Sequence, residues 1–257
     1  MIDFKEYLTK YRDIIDKEVA GYFYPIDIIM LYGALQRLQQ YQVGNVCEIG
    51  IAKGKSAICL SDFKKENETL YLFDNFFETD RQIAEDNIKK FGNYKNISWH
   101  VVDTTTLKPS DLTFSDKLRL LHIDGCHEHW AVLNDLTVFS QHMHDHGIIV
   151  MDDFNDYEYP GVNSAVHEFC LANYNVNNWR VFAVGDNKAY LCQKQYCHIY
   201  EKDMLEFMTV FNRVPERPFD IKMCLRQIYD INALLCDARE VWSIERIEQS
   251  FHKKLMG

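Results

Sequence analysis

The sequence is poor in residues that punctuate a chain, with 5 Pro and 11 Gly among 257 residues. That excludes a collagen-like or low-complexity polymer. It lacks any apolar run approaching the roughly 18–20 residues of a membrane-spanning helix. It also lacks a basic surplus: 28 Lys and Arg stand against 38 Asp and Glu, a formal charge of -10. A phosphate backbone would repel such a chain, so nucleic-acid binding is not expected. The opening Met1-Ile2-Asp3-Phe4-Lys5-Glu6 lacks the basic-then-apolar order of a secretory leader. The eight cysteines form no C-x-x-C pair, and several sit in apolar segments such as Ala57-Ile58-Cys59-Leu60, where a thiol packs as a small hydrophobe. Reduced thiols in a cytoplasmic protein are expected rather than a disulfide framework. What is present, 47% hydrophobic and 26% charged residues, allows a buried core, and the length suits one large α/β domain or a core with a modest appendage.

Apolar periodicity divides the chain into three parts. Residues 1–43 read as an N-terminal helical segment, broken at Gly21-Tyr22-Phe23-Tyr24-Pro25. Residues 44–197 alternate between strands and helices. Strands are expected at Val46–Ile49, Thr69–Phe73, Ile97–Val102, Leu118–Ile123, Ile148–Met151, Arg180–Val184 and Lys188–Cys192. Helices are expected at Ser56–Phe63, Arg81–Phe91, Trp130–Gln141 and Val162–Asn173. Gly185-Asp186-Asn187 reads as the turn of a hairpin between the last two strands. The pattern predicts a Rossmann-like α/β fold: a mostly parallel seven-stranded sheet, helices on both faces and an antiparallel terminal hairpin. Residues 198–257 read as a helical C-terminal extension. From Phe219 to Leu255 there is no proline or glycine, and Ile221, Leu225, Ile228, Ile231, Leu235, Ala238, Trp242 and Phe251 keep a mostly helical spacing. That helix either packs on the core or serves as a lid or the contact of a homo-oligomer. No internal repeat is visible.

The informative feature is where the acids fall. Each of the first five strands carries or meets one at its carboxyl end: Glu48, Asp74, Asp103, Asp124, then Asp152 and Asp153. In a parallel sheet these ends share one rim, where ligands bind. A single such acid is usually a cap or turn former; five strands ending this way make capping alone a poor account. The first turn, Glu48-Ile49-Gly50-Ile51-Ala52-Lys53-Gly54-Lys55-Ser56, spaces its glycines as G-x-x-x-G. It matches neither the nicotinamide fingerprint nor a phosphate-binding loop. An acid there suits a cationic group such as an α-ammonium. Asp74 suits a bidentate grip on ribose hydroxyls, and Asp103 could accept from an adenine amino group.

This combination resembles the class I S-adenosylmethionine-dependent methyltransferases over about residues 44–193. Three later stretches narrow the resemblance: Asp124-Gly125-Cys126-His127 with Val132-Leu133-Asn134-Asp135-Leu136, then Met151-Asp152-Asp153-Phe154, then Pro160-Gly161-Val162. They are similar to the metal-dependent sugar and macrolide O-methyltransferase group, whose relatives include cephalosporin hydroxylase-like proteins. The resemblance implies cofactor contacts from Glu48, Gly50, Ala52, Gly54, Ser56, Asp74, Asn75, Asp103, Thr104 and Asp124. It implies a divalent metal, Mg²⁺ or another oxygen-liking cation, on Asp124, Asp152 and Asp153. His127 takes the place of the general base. Where some relatives carry an aspartate base two residues after the first metal ligand, this chain has Cys126.

The residues support the metal independently. Three carboxylates at the ends of two neighbouring strands repel one another unless a cation neutralises them, and an all-oxygen set suits Mg²⁺, Ca²⁺ or Mn²⁺. Alternatively, only one of Asp152 and Asp153 faces the rim. A metal-bound hydroxyl loses its proton more readily, and a histidine can take it. Tyr157 and Tyr159 are candidates for substrate contact. His142, His144 and His146 have zinc-like spacing, but they precede the fifth strand and so belong to the opposite edge, in a solvated loop. The expected activity is O-methylation of a hydroxylated, sugar-like small molecule. A metal-independent methyltransferase and a catalytically weak cofactor-binding scaffold are the alternatives.

Overall fold

Short runs in which every residue is buried, such as Asn45–Ile49 and Leu118–Ile123, form the centre of a sheet covered on both faces. The computed structural model describes residues 3–38, 44–172, 178–213 and 221–237. In chain order its main elements begin with α1 (Phe4–Lys10), a π-helical turn, α2 (Asp16–Glu18) and α3 (Pro25–Leu38). Then come β1 (Asn45–Ile49), α4 (Lys55–Phe63), β2 (Leu70–Asp74), α5 (Arg81–Phe91), β3 (Ile97–Val101) and β4 (Leu118–Ile123). The chain continues through α6 (His129–Phe139), β5 (Met143–Met151), α7 (Pro160–Ala172), β6 (Trp179–Gly185), β7 (Lys188–Gln193) and α8 (Lys194–Phe211). It ends, among the described residues, with β8 (Lys222–Ile228) and β9 (Ile231–Asp237).

The sheet order is β3-β2-β1-β4-β5-β7-β6-β9-β8. β1 to β5 are mutually parallel, and β7 runs antiparallel to both β5 and β6. The order reverses between β1 and β4, and that crevice is where an open α/β sheet binds ligands. Alternate residues of the central strands enter two cores. Val46, Leu120, Ile148 and Val150 join α1, α3, α4, α5 and α8, whereas Cys47, Leu121, Ile149 and Met151 join α6 and α7.

The Rossmann-like, mostly parallel sheet is as expected, but it has nine strands rather than seven. The expected C-terminal helix is corrected over Lys222–Asp237, which forms an antiparallel hairpin. β9 adds to the main sheet by pairing in parallel with β6, Leu234 opposite Ala183 and Cys236 opposite Gly185. The spacing that suggested a helix also permits strands, and docking on β6 decides between them. The turn uses Tyr229 at φ 56, while Asp230 accepts from Arg180 Nε at 2.9 Å and pairs with Lys194. The rest of that expectation, including Trp242 and Phe251, lies outside the described residues. β5 begins at Met143, so His144 and His146 stand in a strand, their rings stacked 5.0 Å apart, rather than in a loop. All eight cysteines are free thiols. No described helix is long and apolar enough to cross a membrane.

Candidate functional site

A large cavity opens above the carboxyl ends of β1, β2, β3, β4 and β5. It is lined by the loops after those strands and by the N-terminal segment, including Tyr22, Tyr24 and Ile26. Gly50 sets its floor. Its φ is 80°, and a Cβ there would lie 1.8 Å from the Asp124 carbonyl oxygen, so only glycine lets the β1 loop pass so close to the end of β4. Gly54 starts α4 at φ 85, where a Cβ would press on Ala84 of α5.

Of the expected cofactor residues, Gly50, Ala52, Asp74, Asn75, Asp103, Thr104 and Asp124 line the cavity, and Glu48, Gly54 and Ser56 do not. Asp74 Oδ2 accepts from the Ile51 and Ala52 amides at 2.7 and 3.0 Å, and Oδ1 from the Phe76 amide at 2.7 Å. It therefore ties the β1 and β2 loops together. Asp103 Oδ1 accepts from the Thr105 amide and hydroxyl. Glu48 is fully buried, with Oε1 2.9 Å from His122 Nδ1. Strand alternation places it on the α3 side of the sheet, beneath the cavity. Ser56 is buried in the first turn of α4, and beside it Lys55 donates to Asp16 at 2.6 Å and to the Gly21 carbonyl at 2.9 Å. The β1–α4 region and the N-terminal segment are thus joined.

At the mouth of β4 and β5, Asp124, His127 and Asp153 offer ligand atoms within 4.8 Å of one another. His127 Nε2 lies 3.0 Å from Asp153 Oδ2 and 3.6 Å from Asp124 Oδ1. Burial opposes the charge on His127, but the two carboxylates outweigh it and push its pKa up to about 10. Burial, and then the charge of Asp152, raise Asp124 to about 7 against the pull of His127. Tyr159 packs on the His127 ring with centroids 4.1 Å apart, and Tyr157 is exposed beside it. Both tyrosines line the cavity; Phe154, by contrast, is a core residue.

Asp152 reaches the cavity wall but points the other way. Its Oδ1 is bonded to Lys188 Nζ and accepts from the Asp153 amide at 2.8 Å, and its Oδ2 is 3.7 Å from His122 Nε2. Burial alone would raise its pKa, but Lys188 and His122 hold it low. The three expected metal carboxylates therefore divide: Asp124 and Asp153 meet at the rim, and Asp152 is held in the buried layer. Lys188, His122 and Asp27 were missed as site residues. Their signal was a charged or polar residue inside an otherwise apolar element, as in Lys188-Ala189-Tyr190-Leu191-Cys192 and Ile26-Asp27-Ile28-Ile29.

Residues 47–154 match the family model described as a methyltransferase domain. Among curated proteins the chain is similar to the uncharacterized protein R132 of Acanthamoeba polyphaga mimivirus. The two are 25% identical over 149 residues, 54% of this chain and 67% of that one. Among solved structures it is similar to the O-methyltransferase NovP, with a TM-score of 0.56 and 15% identity, covering 68% of this chain and 83% of NovP. It is likewise similar to CalS11, a TDP-rhamnose 3'-O-methyltransferase of calicheamicin biosynthesis. There the TM-score is 0.52 and the identity 14%, over 74% of this chain and 91% of CalS11. At those identities the structural likeness speaks for the fold. Residues 47–154 thus carry a methyltransferase domain, and the fold around it, with its cavity at the switch point, is that of class I methyltransferases.

Proposed function

We propose that the protein methylates a hydroxyl oxygen of a sugar-like or polyhydroxylated small molecule with the help of a divalent cation. The observation that carries this reading is the convergence of Asp124, His127 and Asp153 beside the Gly50 loop, in one cavity. Two facing carboxylates with a raised pKa on Asp124 are a donor set that Mg²⁺ or Mn²⁺ fits. When bound, the ion would neutralise these acids and lower the pKa of an acceptor hydroxyl.

The chain's own residues do the rest. The Gly50 loop, Asp74 and Asp103 hold the donor along the β1 to β3 ends. Tyr157, Tyr159 and the N-terminal Tyr22 and Tyr24 form the wall facing them. His127, freed of the negative charge that keeps it protonated, takes the acceptor's proton at Nε2. Transfer is an in-line displacement at the sulfonium methyl, so holding the two reactants in line supplies much of the acceleration. That CalS11 is a TDP-rhamnose methyltransferase supports a sugar-like acceptor.

Calorimetry with S-adenosylmethionine, followed by a screen of hydroxylated acceptors including nucleotide sugars, tests the reading. Mg²⁺ and a chelator are each added in turn. Methyl transfer to oxygen that stops with chelator is expected, and Asp124→Asn should abolish turnover while sparing cofactor affinity. Full turnover in excess chelator would remove the cation from the reading.

A further inference from the structure

The strand alternation that buries Glu48 also builds a row of charge under the rim. Glu48, His122, Asp152 and Lys188 lie on one face of four adjacent strands or strand ends, and Asp27 of α3 meets them from above. All five are almost fully buried. Lys188 is the hub. Its Nζ is bonded to Asp152 Oδ1, stands 3.8 Å from Asp27 Oδ2, and lies 5.1 Å from the centre of the Phe23 ring. Asp153 then takes a left-handed φ of 55°, which turns its carboxylate to the rim. There Oδ1 accepts from Asn187 Nδ2 at 2.9 Å and Oδ2 meets His127. The two neighbouring aspartates therefore serve opposite sides. A divalent ion drawn to Asp152 would also have to approach the ammonium of Lys188, and like charges repel strongly where water is excluded.

We propose that Lys188 is a positioning residue that keeps Asp152 as an internal ion pair, so that a divalent ion at the rim is bound by Asp124 and Asp153 without it. The same ammonium fastens Asp27, and with it the start of α3 behind Tyr22 and Tyr24, to the floor of the site. This rests on the divalent-ion reading above and goes beyond it by removing one carboxylate from the ligand set and giving it another partner.

The test titrates the full chain with Mn²⁺, counting free ion by electron paramagnetic resonance. Asp153→Asn is expected to weaken Mn²⁺ binding at least about tenfold. Asp152→Asn and the double variant Lys188→Met/Asp152→Asn should stay within about threefold of the unmutated chain, as for a contact not made. A loss in Asp152→Asn equal to that in Asp153→Asn overturns the proposal. Because Asp152→Asn leaves the buried lysine with only the longer Asp27 contact at 3.8 Å, the question is also put to the unmutated chain. A buried, ion-paired lysine gives a slowly exchanging ammonium signal in ¹⁵N NMR, assigned to Lys188 by its loss in Lys188→Arg. That signal is expected to survive saturation with Mg²⁺; its disappearance would mean the ion takes Asp152 and overturns the proposal. If the unmutated chain binds neither Mn²⁺ nor Mg²⁺, the divalent-ion reading falls and this proposal with it. Mn²⁺ binding that depends on Asp152 overturns this proposal alone.

Discussion

His127 is held between two carboxylates, and its pKa of about 10 means that it carries a proton at neutral pH until those charges are neutralised. Its ordinary value is about 6.5, so the proton it holds in the fold contributes stability that is fully present below that pH and is lost as pH rises through 10. As a base it works only when neutral. In the cation-free protein an NMR titration of the His127 ring should therefore give a midpoint near 10, and with Mg²⁺ added that midpoint should move down toward neutrality. A midpoint indifferent to Mg²⁺ would reassign the base. Asp135 is also raised, but by burial rather than by ion pairing. It is fully buried under Gly125, and burial first, then the nearby Asp103 charge, raise it to about 7 against the pull of the Thr104 side chain. Its carboxyl holds a proton in the fold that the unfolded chain gives up near pH 4, so stability falls as pH rises from about 4 to 7. Asp135→Asn escapes that loss. Its melting temperature should gain on that of the unmutated chain by at least about 3 °C between pH 5 and pH 8, a shift worth roughly 1 kcal/mol; a constant difference would contradict the buried-carboxyl account.

At the scale of elements, the β1–α4 loop is the most constrained piece of the site. Gly50→Ala puts a methyl into the Asp124 carbonyl at a positive φ. S-adenosylmethionine affinity should fall at least about tenfold with a lower melting temperature, since the strain sits where the loop must hold its shape. Calorimetry and a melt check this together. The N-terminal segment is tied to α4 through Lys55, which holds Asp16 and the Gly21 carbonyl. Lys55→Met should raise hydrogen exchange across residues 16–24 while leaving β4 and β5 protected, because local opening costs less than global unfolding. Equal protection in both proteins would show that the tie carries no load. The sequence showed these connected elements unevenly. Arg81–Phe91 and Leu118–Ile123 have the limits expected of them, since strong apolar patterns bounded by caps and turns leave little choice. Lys222–Asp237 was misread because residues spaced by three and four also fall on strand faces, and nothing local shows that β6 offers an open edge.

Over the whole molecule, the rim was legible because each parallel strand ends on the same side, and an acid at each end needs no tertiary knowledge to be noticed. Asp74, Asp103, Asp124 and Asp153 were found in this way, Gly50 from the glycine spacing after β1 and His127 from the family resemblance, and the cavity gathers all of them. Glu48 and Asp152 were read as rim residues because closeness to a strand end says nothing about which face a side chain takes. In the folded chain both face α3, where His122, Lys188 and Asp27 receive them. The sequence by itself determined the alternation of strands and helices and the acids that border one rim of the sheet, because these follow from local periodicity and spacing. Only the tertiary structure decided which acids meet the cavity and which are neutralised beneath it, and that the C-terminal residues extend the sheet. Those outcomes depend on partners distant in sequence: a lysine on β7, an aspartate on α3 and the open edge of β6.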